Sequence, residues 1–319
     1  MRPACFVGFD TSNYTTSAAI CTLDGKVVAN LKAPLPVREG ECGLRQSDAV
    51  FAHVRNLPTL TEELREALRP YRVLAVGYSA RPREAEGSYM PCFLAGQAAA
   101  KSFAAALDVP TFDFSHQDGH IMAALYSSGA AEELIQAPFA AFHVSGGTTE
   151  VLHVTPSDDG FSVRLVGETE DLNAGQAIDR VGVMMGLQFP CGKELELLAA
   201  QYKGRLPKPR ICVRNGNCNL SGLQNLAQKM WEEEQDASKV SAYVLSFLGE
   251  TLKAMTAAID AEYPAIPIVY AGGVMSNRYL QSVLCKRSNT YFAEPQFSAD
   301  NAAGVALLCR RRHICQSES

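Results

Sequence analysis

Short apolar runs of strand character alternate with stretches of helical character along the whole chain, and that alternation restricts the fold to the α/β class, with helices packed on sheets. Strands are expected over Cys5 to Phe9, Ser17 to Thr22, Val27 to Leu31, Val73 to Tyr78, Phe139 to Val144, Glu150 to Val154, Phe161 to Val166 and Ile266 to Tyr270. Helices are expected over about 94 to 107, 117 to 127, 175 to 186, 221 to 234, 238 to 261, 276 to 286 and 299 to 311. A further helix is expected to start at Thr59, where Glu62 completes a capping box, and to close after Arg69 before Pro70. A chain of 319 residues fits about two domains or one large unit of this class. Two segments echo one another. Phe6 to Ser12 followed by Ser17 to Ile20 resembles Ala140 to Thr149 followed by Glu150 to Leu152, each a strand, a small polar turn and a returning strand. Such a repeat points to two related halves with their polar turns aimed at a shared cleft.

Charge narrows the partners. With 29 basic and 34 acidic residues the formal charge is −5, which argues against affinity for polyanions through an overall positive field and leaves only local basic patches. Lys203, Arg205, Lys208, Arg210 and Arg214, and later Arg310 to Arg312, are such clusters; they read either as solvated surface or as a local RNA contact. Ten cysteines with no Cys-x-x-Cys pair support neither a disulfide framework nor a zinc ribbon, and read as reduced core thiols. No apolar run reaches a membrane span, and the first one stops at Asp10, too early for a signal peptide. The expectation is a cytoplasmic protein that does not engage a membrane.

Four segments could carry chemistry. Ser145-Gly146-Gly147-Thr148-Thr149 lies between two apolar strands, where glycines let backbone N–H groups approach a phosphate; an ordinary hairpin turn reads the same way. Ala271-Gly272-Gly273, at the end of an apolar strand and followed by a helix near Ser276, is a place where nucleotides bind in α/β sheets. His116 and His120, four apart on a helix, face one side and could chelate a metal, although without a third ligand they are equally two polar residues on a first turn. Gln117 cannot take up a proton as the glutamate of a metallopeptidase would, so peptidase chemistry is not expected. Asp179, one turn after Gly175, stands where carboxylates bind ribose hydroxyls or where acids simply stabilise a helix start.

Together these segments resemble the tRNA threonylcarbamoyladenosine transferase family, once labelled sialoglycoprotein endopeptidases, within the actin-like ATPase (ribonuclease H-like) superfamily. The marks are Gly8-Phe9-Asp10-Thr11-Ser12, His53-Val54-Arg55, His116-x-x-x-His120, Val144-Ser145-Gly146-Gly147, Ala174 to Arg180, Phe189-Pro190-Cys191-Gly192, Ser221-Gly222-Leu223, Ala271 to Val274 with Asn277, and Asp300-Asn301. The resemblance implies two actin-like lobes around a nucleotide cleft, 1–115 and 116–319, the second with helical insertions and a C-terminal helix that packs back on the first. It implies one divalent metal ion, iron or zinc, on His116, His120 and Asp300. It places an adenine nucleotide (an adenylate donor, ATP or AMP) on His143, Val144, Ser145, Gly146, Gly147, Asp179, Gly192 and Asn277, and takes Asp10 and Ser12 as catalytic. The implied reaction moves a threonylcarbamoyl group, or a related carbamoyl group, from its adenylate to a tRNA adenosine, releasing AMP. tRNA would bind through a local basic patch, and helper proteins of the modification complex would take part.

The chain also departs from the family pattern. Asn13-Tyr14-Thr15-Thr16 replaces Cys-Asp-Glu-Thr, Thr148 replaces a histidine, and His116-Gln117-Asp118-Gly119-His120 replaces His-x-Glu-Gly-His. Ala80 to Gly87 replaces a Gly-Pro-Gly loop, and Pro190-Cys191-Gly192-Lys193 replaces Pro-Gly-Gly-Pro. The pattern is that of a diverged paralogue, and two other readings stand beside transfer: a non-catalytic nucleotide-binding paralogue that scaffolds a complex, and an ATPase or kinase with Asp10 as its carboxylate.

Overall fold

The computed structural model describes residues 2–12, 14–36, 44–158 and 160–318. The order of elements is β1 (Ala4–Thr11), β2 (Thr15–Thr22), β3 (Val27–Pro34), α1 (Gln46–Leu68), β4 (Arg72–Arg81), α2 (Phe93–Leu107), β5 (Thr111–Ser115) and α3 (His116–Ser127). Next come α4 (Ala131–Leu134), β6 (Phe139–Val144), β7 (Thr149–Ser157), β8 (Gly160–Glu168), α5 (Ala174–Met184), α6 (Gly192–Gln201), β9 (Cys212–Arg214) and β10 (Asn217–Asn219). The chain ends with α7 (Ser221–Glu234), α8 (Ala237–Glu262), β11 (Ile268–Ala271), a 3₁₀ turn (Gly273–Ser276), α9 (Arg278–Leu284), β12 (Thr290–Phe292), α10 (Pro295–Ser298) and α11 (Ala303–Glu318).

Two compact units result, one of residues 1–127, 156–162 and 296–319, the other of 128–155 and 163–295. The boundary placed at 115/116 falls inside the first unit, because α3 continues directly from β5 and packs on α11 and β4. The first unit's sheet has the order β3-β2-β1-β4-β5, with β1 antiparallel to β2 and parallel to β4. The second unit's sheet, β8-β7-β6-β11-β12, repeats that order, with β6 antiparallel to β7 and parallel to β11. The echo between residues 6–20 and 140–152 is therefore a repeated hairpin that opens each sheet.

Burial follows position in the sheet. β1 lies between two neighbours and is buried from Cys5 to Thr11, so its run of apolar residues shows no alternation, as expected for a strand covered on both faces. The second core gathers Phe142, Val151, Ile178, Leu195 and Tyr270 with the long helix α8. Cys5, Cys21, Cys92, Cys191, Cys218 and Cys309 are buried thiols; burial pushes the Cys5 thiol up to about 12 and those of Cys92 and Cys218 up to about 11. No helix among the described residues is long and apolar enough to cross a membrane.

The helix expected to start at Thr59 begins instead at Gln46 and runs through Pro58. An interior proline removes one helical hydrogen bond, at a cost of about 3 kcal/mol. Tertiary contacts outweigh that cost, because Ala49, His53, Leu60 and Leu64 lie on one continuous buried face and His53 and Asn56 bond to the β1–β2 region. The last helix starts at Ala303 rather than near 299, where the Asn301 Oδ1 accepts the Ala303 N–H at 3.0 Å. The sequence pattern missed α6 and the short strands β5, β9, β10 and β12.

Candidate active site

In the first unit, α3 carries His116 and His120 one turn apart, and their Nε2 atoms stand 3.0 Å from each other. Asp300, from the turn before α11, places Oδ1 at 3.6 Å from the His116 Nε2 and 3.3 Å from the His120 Nε2. One donor atom from each of the three residues fits within 4.8 Å of the others. Asp300 arrives there because α11 lies against α3 with backbone touching backbone. A Cβ on Gly304 would stand 1.8 Å from the Gly119 carbonyl oxygen, so that position takes only glycine. Asn301 fixes the turn itself, its Nδ2 donating to the Phe297 and Ala299 carbonyls at 3.0 and 2.7 Å.

A second layer orients these side chains. The His116 Nδ1 donates to the Asp10 Oδ1 at 2.9 Å, which leaves the lone pair of Nε2 directed toward His120 and Asp300. Ser12 Oγ donates to the Asp300 Oδ2 at 2.8 Å, so Oδ1 is the oxygen presented to the histidines. Behind them the buried His53 donates from Nε2 to the Ser12 carbonyl at 2.7 Å and accepts at Nδ1 from Thr16 at 2.9 Å. Burial lowers the His53 pKa, so its ring stays neutral.

These residues fit a divalent cation. Two imidazole nitrogens and one carboxylate oxygen are a donor set for iron or zinc that leaves coordination positions open. Asp10 is fully buried, its Oδ1 bonded to His116 and its Oδ2 without a hydrogen-bond partner, so one acceptor oxygen beside the group is left unsatisfied. Burial alone would lower the His116 pKa, but the Asp10 and Asp300 carboxylates outweigh it and push it up to about 10. Burial alone would raise Asp300, yet hydrogen bonds from His116 and His120 hold its carboxyl well below the usual range. The site attracts positive charge, and a metal ion and a proton compete for the same lone pair.

The second unit assembles the glycine turns. Ser145 closes its turn by accepting at Oγ from the Gly147 and Thr148 N–H groups at 3.3 and 3.1 Å. Two glycines let neighbouring elements approach the end of β6: a Cβ on Gly175 would stand 2.6 Å from the Gly146 nitrogen, and one on Gly272, at φ +101°, would stand 2.2 Å from the Val144 carbonyl oxygen. In contrast, nothing lies within 4 Å of a Cβ built on Gly146, Gly147, Gly192 or Gly273, so these backbones border open space. Asp179 on α5 accepts at Oδ1 from the Cys191 N–H at 2.8 Å, which brings it beside Gly192. Asn277 caps α9, its Oδ1 accepting the Leu280 N–H at 3.1 Å. The structure thus joins Val144 to Gly147 with the starts of α5 and the 3₁₀ turn, and places His143 one residue earlier on β6.

Asp10 and Ser12, expected as catalytic, hydrogen-bond to His116 and Asp300. His53, Thr16 and Asn301 were missed as parts of the site. His53 was visible only as part of a family mark, and nothing in spacing ties it to Ser12. Of the departures, Asn13 lies outside the described residues, Tyr14 is exposed, and Arg81 pairs with Glu84 and Asp113. Asp118, standing where the family has glutamate, is buried with Oδ1 unpartnered, and burial pushes its pKa up to about 7.

A repeated five-stranded unit, one carrying a two-histidine, one-carboxylate group and the other glycine turns at its strand ends, defines a protein of the actin-like ATPase fold. The solved structure of full-length HypF in its phosphate- and nucleotide-bound form superposes with a TM-score of 0.60 at 14% identity, covering 100% of this chain and 56% of that one. The family model for TsaD, tRNA N6-adenosine threonylcarbamoyltransferase, matches residues 41–307, and the chain belongs to that family of acyltransferases. Curated relatives of that name include one from Streptococcus sanguinis, 32% identical over 295 residues, spanning 89% of this chain and 84% of the relative. Another, from Thermus thermophilus, is 33% identical over 324 residues, spanning 98% and 93%.

Proposed function

We propose that this chain transfers a threonylcarbamoyl group from threonylcarbamoyl-adenylate to the exocyclic amine of a tRNA adenosine, in a reaction that depends on a metal held by His116, His120 and Asp300. The observation that carries the reading is the ligand group with its second layer, Asp10 on His116 and Ser12 on Asp300, in a member of this family. In the transfer the amine nitrogen bonds to the carbamoyl carbon, the bond from that carbon to the phosphate oxygen breaks, the amine loses a proton, and AMP leaves. When bound, a divalent ion supplies Lewis-acid polarisation and offsets the negative charge of the phosphate.

The chain's own residues bind and orient. Asp10 keeps the His116 proton on Nδ1, and Ser12 keeps the Asp300 Oδ1 facing the histidines. The open backbones of Gly146, Gly147 and Gly273 are assigned to the adenylate phosphate and adenosine, and Asp179 with Gly192 to the ribose. The kinase reading loses its support, since the Asp10 carboxylate is fully buried and bonded to His116.

The test is a single-turnover assay with metal-loaded protein, independently prepared adenylate donor and unmodified tRNA, scored by nucleoside mass spectrometry. Threonylcarbamoyl-adenosine should form with the wild type and fall at least a hundredfold in His116→Ala, which should also lose stoichiometric metal. Binding of the adenylate without any modified adenosine would overturn tRNA as the acceptor, and full metal content in His116→Ala would overturn the ligand assignment.

A further inference from the structure

From Leu197 to Trp231 the chain carries six basic residues and no acidic one, although its overall charge is −5. Five of those six, Lys203, Arg205, Lys208, Arg210 and Arg214, lie within twelve positions and are all exposed. The segment between α6 and β9 is neither helix nor strand, and it is pinned to the second unit: Leu206, Ile211 and Val213 pack on its core, and β9 pairs with β10. Lys208, Arg210 and Arg214 are thereby turned outward. The bend at its start is fixed by the Tyr202 hydroxyl, which donates to the Arg205 carbonyl at 3.3 Å.

Some exposed cations elsewhere among the described residues are paired, and those without an ion pair, such as Lys26, Arg72 and Lys286, are scattered singly rather than clustered. Arg65 and Arg69 pair with Glu66, Arg81 with Glu84 and Asp113, Lys239 with Glu234, and Lys253 with Glu250. Among the described residues no acidic group lies within ion-pair distance of Arg205, Lys208, Arg210 or Arg214. Four cations without an ion pair on a pinned segment repel one another, and a solvated face usually relieves that repulsion with interspersed acids. A row of fixed phosphates relieves it instead, with arginine supplying bidentate hydrogen bonds.

We infer that the segment Lys203–Arg214 is a docking surface for the phosphate backbone of the tRNA acceptor. The inference deepens the proposed transfer and rests on tRNA being the acceptor. Backbone contacts of this kind position the nucleic acid without reading its sequence, so the segment contributes affinity and orientation, and selection of the adenosine lies elsewhere.

The experiment measures binding of an unmodified tRNA transcript to the full chain by fluorescence anisotropy over a series of KCl concentrations. The variant replaces Arg205, Lys208, Arg210 and Arg214 with Gln; a charge control replaces Lys26, Lys253 and Lys286 with Gln. The quadruple variant should bind tRNA at least tenfold more weakly, and its log K against log[KCl] should be shallower by about three, near 0.7 to 0.9 per cation removed. Its thermal midpoint and adenine-nucleotide affinity should stay at wild-type values, and the control should change tRNA affinity less than twofold. Unchanged affinity and slope in the quadruple variant, or an equal loss in the control, would overturn the surface. A quadruple variant that loses tRNA binding while the wild type makes no modified adenosine would keep the surface and overturn the transfer. Wild-type transfer with an unaltered KM for tRNA in the variant would do the reverse.

Discussion

Replacing Gly304 with Ala should separate Asp300 from the two histidines without touching any of the three. The added Cβ would stand 1.8 Å from the Gly119 oxygen, 2.7 Å from the Gly119 carbonyl carbon and 2.9 Å from the Ala123 nitrogen. All three are backbone atoms of α3, so no side-chain rotation relieves the clash. A carbon settles about 3.3 Å or more from a carbonyl oxygen, so α11 must retreat from α3 by roughly 1.5 Å. Metal–ligand distances tolerate only about 0.2 Å. The retreat should therefore remove Asp300 as a ligand and lower metal affinity by at least tenfold. Overpacking of this kind destabilises by about 1–3 kcal/mol, and a backbone-on-backbone clash belongs at the upper end. That corresponds to a fall of about 6 °C or more in Tm. The assay is a thermal melt together with metal stoichiometry by mass spectrometry after reconstitution with Fe(II) or Zn(II). Gly222→Ala is the control, since nothing lies within 4 Å of its Cβ and it sits in the first turn of α7. A Gly304→Ala protein with wild-type Tm and full metal content would refute the claim that this helix contact positions the third ligand.

Asp10→Asn should retain the fold but weaken metal binding by about 10- to 100-fold, because a neutral amide no longer favours the Nδ1–H form of His116; calorimetric titration with Zn(II) measures it, and wild-type affinity would remove Asp10 from the site's second layer. His53 has a folded-state pKa lowered by burial, so below about pH 6.5 the unfolded chain holds a proton that the folded ring does not. Its neutral burial therefore contributes stability above that pH that is lost as pH falls toward the folded pKa. The difference in urea midpoint between wild type and His53→Gln should shrink from pH 7.5 to pH 5, and a pH-independent difference would show that His53 does not titrate between the two states.

The α/β class and the strands β1 to β4, β6 to β8 and β11 follow from residue patterning alone, because a strand covered on both faces must be apolar along its length and a helix on a sheet must show a 3.6-residue stripe. The two histidines on α3 and the glycine turns were legible for the same reason, since their spacing is local. The Thr59–Glu62 capping pattern misled the reading of α1, as a local start signal is visible in sequence while the buried face from Ala49 to Leu64 that carries the helix past it is a property of packing.

The third ligand was named only through the family resemblance, for no periodicity links Asp300 to His116 across 184 positions. What brings them together is the close approach of Gly304 to Gly119, a contact between two backbones that neither segment specifies by itself. His53 is the same case, reaching the Ser12 carbonyl and Thr16 only once α1 has packed on β1 and β2. Sequence determined most of the elements and two of the three donors because those depend on neighbours along the chain. Tertiary structure decided which side chains share a proton or could share an ion, because distances of about 3 Å between remote residues are set by how closely helices and strands can pack.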